Sequence, residues 1–373
     1  MKIEPFHTER FFAAHEFTAP YLLCASDCES LSLDELLDLA NVPREWLGRL
    51  RLGYTDSQGA PALRALIAGM YEQVNDEGVI FLSAPEEGIF VTMHALLEPG
   101  DEVIVGSPGY DSLVNVPSYL GGWQLDLAAL ERLLTPHTRL VIVNFPHNPT
   151  GTLPTHDEWR SLIEMVARSG AWLFCDEIYR GLEFDPAARL PSACDLYERA
   201  VTLCGLSKAY GLPGLRAGWL ALQDAALLDR ILGWKDYTTI CASPLSETLA
   251  QIALGIGESL TARSVQIIQD NLALAEPFFA RWRGVFRWNR PQAGSVALAG
   301  LRTGSAREFC QRLSREQGVL LLPGDGLGVG DGHVRFGLGR LSFPEALAQL
   351  ERYLTGQGDP SATTAQPLAN TGV

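Results

Sequence analysis

Three stretches, VIVNFPHNPTG (141–151), AWLFCDEIY (171–179) and AVTLCGLSK (200–208), each leave an apolar run through residues able to do chemistry. The first delivers Asn148, the second Asp176 and Tyr179, and the third Ser207 and Lys208, with Arg216 eight residues on in GLPGLR. Together they offer a carboxamide, a carboxylate, a phenol, a nucleophilic amine and a guanidinium, a set suited to proton transfer and amine chemistry on an anionic ligand. Singly, each has a plain structural reading. Asn-Pro and Thr-Gly are ordinary turn formers, and an acid that ends a strand often caps the next helix. Three consecutive strands that end at one rim are harder to explain by structure alone, because open α/β sheets bind ligands at their carboxyl ends.

The elements that must position these residues are short, β-branched-rich runs at Glu102 to Val105, Leu140 to Asn144, Ala171 to Cys175, Ala200 to Cys204 and Gly218 to Leu222. Their lack of polar alternation suits strands buried on both faces. Helices are predicted between them at Leu125 to Leu134 and His156 to Ser169, the latter with Thr155 as N-cap. This rhythm predicts an α/β fold with a mainly parallel sheet between helices. From Pro244 to Arg283 the pattern is helical. Strands at Ser295 to Ala299, Gly318 to Leu322 and His333 to Phe336 then alternate with helices at Ala306 to Glu316 and Phe343 to Tyr353. We therefore expect an amino-terminal segment (1–45) packed on the small unit, a large domain (46–275), a smaller α/β domain (276–358) and a disordered tail (359–373).

Composition narrows the partners. The 373 residues are 47% hydrophobic, enough for a substantial core, and 44 acidic against 29 basic residues give a net charge of −15. Nucleic acid and anionic membrane are poor partners for that surface. No apolar run approaches the roughly 20 residues that span a bilayer, and the start lacks a signal-type stretch. Seven scattered cysteines, with no second pair beside Cys24/Cys28, read as reduced cytoplasmic thiols and predict no metal site. Only Lys2, Lys208 and Lys235 are lysines. Lys235, in GWKDYTTI, reads as a solvated lysine at a helix end.

Taken in order, NPTG, then D-x-x-Y, then S-K followed by G-L-P-G-L-R resemble the motif set of class I/II aminotransferases, pyridoxal 5'-phosphate (PLP) enzymes of fold type I. The resemblance runs from about Tyr54 to about Arg335. It implies a large domain with a seven-stranded-type sheet, a smaller domain, and a homodimer with shared active sites that acts on an α-amino acid in amino acid metabolism or biosynthesis. It further implies that Lys208 forms the Schiff base with PLP and shuttles the α-proton. Asp176 would keep the pyridine nitrogen protonated, and Asn148 and Tyr179 would hold the phenolate oxygen. Ser207 and Arg216 would bind the phosphate, joined by Tyr54 across the dimer. Tyr110, in SPGY, would stack on the ring, and Arg335, in HVRFGLGR, would fork onto the substrate carboxylate. An amine of this kind needs a neutral fraction near pH 7, which burial and nearby cations supply.

Two departures stand out. The turn expected to cradle phosphate reads Ser83-Ala84-Pro85-Glu86-Glu87-Gly88, placing Glu86 and Glu87 at the cofactor site. Gly205 stands where many relatives carry a hydroxyl. These features and the acidic, hydroxyl-rich amino-terminal segment with Glu9, Glu16, Ser26, Asp27 and Glu29 resemble a branch of capreomycidine and enduracididine cyclases, which act on hydroxylated arginines. In that reading carboxylates among Glu9, Glu29, Glu86 and Glu87 pair with the substrate guanidinium, Glu9 and Ser26 join Arg335 and Asn148 at the substrate, and elimination with cyclisation replaces transamination. A solvated acidic surface explains the same carboxylates. A binding module without catalysis would have lost Lys208 or Asp176, and both are present.

Overall fold

The computed structural model describes residues 6–114 and 127–356. The tail at 359–373, Lys2, and the start of the helix expected at Leu125 lie outside the described residues. Among those described, the central sheet has six strands in the spatial order Val79–Leu82, Gly218–Leu222, Ala200–Gly205, Trp172–Asp176, Thr138–Asn144, Glu102–Val105. The last four are parallel to one another, whereas Gly218–Leu222 runs antiparallel to both of its neighbours. The twelve residues between Gly205 and Gly218 hold only a short turn at Pro213–Leu215, too little for the helical crossover that a parallel return needs. Val79–Leu82 is a strand that the sequence reading did not place.

Buried strands explain the missing polar alternation. Leu140, Ile142 and Phe174 face a core with Ile89, Val91 and Ile231 from helices Pro85–Leu96 and Ala225–Lys235. Val141, Val143 and Leu173 face the opposite core with Trp159 and Val166 from helix His156–Ser169. That helix starts where the sequence predicts. The Thr155 hydroxyl accepts from Glu158 N at 3.2 Å and the Glu158 carboxylate accepts from Thr155 N at 2.7 Å, a capping box whose N-cap alone is worth about 1 kcal/mol.

A second sheet is antiparallel, in the order Leu322–Pro323, His333–Gly337, Val296–Leu301, Phe286–Trp288, with helices Ala306–Gln317 and Phe343–Gly356 beside it. The expected strand at Gly318 to Leu322 divides. Val319–Leu320 pairs instead with Tyr21–Leu22, in parallel, which ties the amino-terminal segment to this region. Residues 23–29 then run along the end of His333–Gly337. Gly337 N donates to Leu23 O at 2.9 Å, Glu29 N donates to Gly339 O at 2.7 Å, and Gly337 and Gly339 have no room for a Cβ against Ala25 and Asp27. This crossing carries Ser26 and Asp27 toward the rim of the central sheet.

Candidate active site

Strand register sets the centre of the site. Asn144 and Asp176 are adjacent on neighbouring parallel strands, and the Asn144 amide donates to Asp176 O at 2.8 Å while its Oδ1 accepts from Asn148 N at 2.8 Å. Asp176 is buried and accepts from Ile178 N at 3.0 Å. Burial, with help from Glu86, raises its carboxyl to about 7, and the Lys208 charge works against that rise. Tyr179 is buried one turn on, and its hydroxyl has no hydrogen-bond partner.

Lys208 leaves the end of strand Ala200–Gly205 and donates from Nζ to Ser26 Oγ at 2.8 Å, a contact spanning nearly half the chain. Burial lowers its pKa. Asp27 and Glu9 oppose that shift and Arg335 adds to it, so the amine gains the neutral fraction that a nucleophile or base needs. The buried hydroxyl of Ser207 is also without a partner. Arg216 is exposed, in a left-handed conformation with φ 49°, and donates to Pro213 O at 3.2 Å.

Arg335 is 1% exposed. Its neighbours Val334 and Phe336 enter the apolar core, so alternation turns Arg335 to the other face, where Nη2 donates to Cys24 O at 2.9 Å and Nη1 to Asn148 Oδ1 at 3.3 Å. Nε has no partner, and Phe12 lies 5.7 Å from the guanidinium carbon.

Helix His7–His15 covers this region. Thr8 donates from N and Oγ1 to Asp111 at 3.0 and 3.1 Å, and Tyr110 donates from its hydroxyl to Glu9 Oε1 at 2.9 Å. Glu16 is held above the usual carboxylate range first by burial and then by Asp27, with Arg340 and Lys208 opposing. Asp27 is paired with Arg340 at 2.7 Å.

Several predicted residues fall elsewhere. Both Glu87 oxygens are engaged: Oε2 accepts from Ser83 N at 2.9 Å, and Oε1 from the Thr238 and Thr239 hydroxyls at 2.6 Å each, so Glu87 braces the loop after helix Ala225–Lys235. Lys235 is not solvated. It is fully buried, donates to Ile240 O at 2.9 Å and sits in the field of Glu87, which favours its charge against burial. Tyr54 is 92% exposed and so is not packed into the rim of its own chain. Gly205 and the altered turn are one feature: a Cβ at Gly205 would lie 2.8 Å from Pro85 Cγ and 2.8 Å from Ala217 O. His147 was not foreseen. It joins the Asn148 turn to the Tyr110 loop through Thr150 Oγ1 at 2.6 Å and Pro108 O at 2.7 Å, and burial holds it near 4, so it stays neutral. Its place inside the NPTG-bearing turn was the available signal. For Phe12 the sequence carried none.

A rim that combines a lysine, a carboxylate behind it, orphaned buried hydroxyls and an arginine suits a phosphorylated aldehyde cofactor. The chain belongs to the family Aminotransferase class I and II, which it matches over residues 22–349, and is a PLP-dependent enzyme. It is 30% identical to capreomycidine synthase of Streptomyces vinaceus, over 98% of this chain and 94% of that protein. It is also 30% identical to arginine–pyruvate transaminase AruH of Pseudomonas aeruginosa, over 76% of this chain and 77% of that one. Among solved structures, a PLP-dependent aminotransferase from Streptococcus suis superposes with TM-score 0.89 at 28% identity, covering 95% of this chain and 99% of that one. The PLP-dependent cyclase OrfR superposes with TM-score 0.88 at 29% identity, covering 96% and 98%. Among the described residues no helix is long and apolar enough to cross a membrane and no acid, histidine and cysteine cluster could hold a metal.

Proposed function

We propose that this enzyme acts on an α-amino acid whose carboxylate is bound by Arg335 and whose α-proton is moved by Lys208. The observation that carries this is the buried Arg335, with Nε unpartnered, hydrogen-bonded to the Asn148 turn of the rim that holds Lys208. PLP supplies an electron sink conjugated to the substrate Cα. The residues fit it. Oδ1 of Asn148 faces Arg335, which leaves its amide N–H₂ and the orphaned Tyr179 hydroxyl as donors for the phenolic oxygen. Asp176 would keep the ring nitrogen protonated, and Tyr110, fixed by its bond to Glu9, would stack on the ring. Ser207, Arg216 and the amino end of helix Pro85–Leu96 take the phosphate. Lys208 Nζ, its proton affinity lowered by burial and Arg335, would accept the Cα proton, hand it to the cofactor carbon to complete the first half of a transamination, and carry a proton back to Cα in the second. Glu87 is left to the loop brace.

A second reading is favoured by the acids at the cleft. Glu9, Glu16 and Asp27 all act on Lys208 or on one another, and they suit a cationic side chain. Two relatives are a capreomycidine synthase and an arginine–pyruvate transaminase, and a structural neighbour is a cyclase. Here Glu9 and Ser26 meet an arginine-type substrate, and the same proton removal leads to elimination and ring closure. Incubation with amino acids including arginine and a hydroxylated arginine, followed by mass spectrometry, separates the two readings. Keto acid that forms only with an added acceptor supports transamination; loss of water without an acceptor supports cyclisation.

The working unit in this proposal is a homodimer in the cytoplasm. Leu52, Tyr54 and Tyr237 are each more than 80% exposed, an apolar surface suited to a second copy, whose phosphate site Tyr54 would reach. The seven cysteines are all free, in keeping with a reducing compartment.

A further inference from the structure

Glu86 occupies the first turn of helix Pro85–Leu96, where that helix meets the strand ends carrying Ser207 and Arg216. Pro85 packs on Gly205 and Gly218, each too close to it to accept a Cβ. Two things weaken this helix end as an anion site: Pro85 brings no N–H, and the next side chain is an acid. The groups that act on Glu86 come from every element around it. Glu9 belongs to the amino-terminal helix, Tyr110 to the loop before the short helix Asp111–Val114 and Asp111 to that helix, Asp176 to the central sheet and Arg216 to the turn after Pro213–Leu215, with the Ser112 hydroxyl close by. With Glu86 itself, four carboxyls share one guanidinium. An added phosphate dianion would make that balance worse, unless one acid carries a proton. The second sign of a ligand here is the buried, unpartnered hydroxyl of Ser207.

We propose that Glu86 binds the cofactor phosphate as a neutral acid, donating its proton to a phosphate oxygen, so that cofactor affinity falls as pH rises through neutrality. The inference rests on the reading of this rim as the cofactor site. Burial supports it by raising Glu86 to about 7, with Glu9 and Asp111 adding to the shift and Ser112 and Arg216 opposing it. The trend is the reverse of what the ligand alone would give. A phosphate monoester becomes a dianion near pH 6, which by itself favours binding at higher pH.

The test uses the apoenzyme and pyridoxamine 5'-phosphate, which carries the phosphate but forms no bond to Lys208, with binding followed by tryptophan fluorescence. Between about pH 6.5 and 8.5 the wild-type dissociation constant should rise about 20-fold, as loss of one required proton dictates. Glu86→Gln, a donor at every pH, should bind with less than about threefold change. Calorimetry in two buffers at pH 8 gives a second measurement: the wild type should take up more protons on binding than Glu86→Gln, and should do so even if the variant proves unstable to heating. Wild-type affinity that is level or tightens with pH, or an equal slope in the variant, overturns the role of Glu86. Absence of binding at every pH overturns the cofactor-site reading and this proposal with it.

Discussion

Arg335 Nη1 donates to Asn148 Oδ1 at 3.3 Å, joining a strand of the antiparallel sheet to the turn that leaves the central one. The bond orients the Asn148 amide, so one side chain from each sheet settles the direction of the other. A buried guanidinium with a free Nε is costly unless a ligand completes it.

Arg335→Lys keeps the charge and loses the fork. We expect kcat/KM for the amino acid substrate to fall about 10- to 100-fold, the equivalent of one to two charged hydrogen bonds, mainly through KM. Steady-state kinetics over a range of substrate concentrations checks this. An unchanged KM would place the substrate carboxylate elsewhere.

Asp176 gives a pH signature in the cofactor-free enzyme. Its folded pKa, about 7, lies above the unfolded value of 3.8, so the folded state holds a proton that the unfolded state has released. Stability from this group therefore falls as pH rises from about 4 to 7, by at most about 1.4 kcal/mol per pH unit. Asp176→Asn should lack that slope. Thermal unfolding of both apoproteins from pH 5 to 8 should show the variant gaining on the wild type as pH rises, although its catalysis is lost.

Much of this site could be read from residue order because Asn148, Asp176 and Lys208 lie at or just after the ends of three consecutive strands, and strand ends carry their own turn signals. What escaped the reading was set by tertiary packing. Val79–Leu82 is a four-residue run whose two-sided burial looks the same as part of a helix. Lys235 sits at a helix end, the usual place for a solvated lysine, and only the fold of loop 236–241 brings Ile240 O to its amine. Glu86 and Glu87 are identical in sequence terms, yet one braces a loop and the other faces Arg216.

Lys235→Ala would leave the Ile240 carbonyl without its donor and remove the cation beside Glu87. A loss of about 1–3 kcal/mol in denaturant unfolding is expected. Yellow colour on addition of PLP should persist, because the proposed Schiff base forms on Lys208.

Restoring a hydroxyl by Gly205→Ser should destabilise the protein by about 1–3 kcal/mol, since the new Cβ meets Pro85 and the Ala217 carbonyl together. Pro85→Ala in the same chain should recover only part of the loss, because the carbonyl contact remains. Full recovery in the thermal melt would show that the Ala217 contact is relieved by movement.

The most direct test of the account is to load the enzyme with PLP, reduce with borohydride, digest, and map the modified lysine by mass spectrometry. The account predicts the cofactor mass on Lys208 alone, with no adduct at that position in Lys208→Ala. Labelling of Lys235 or Lys2 in the native enzyme, or no labelled lysine at all, would contradict it.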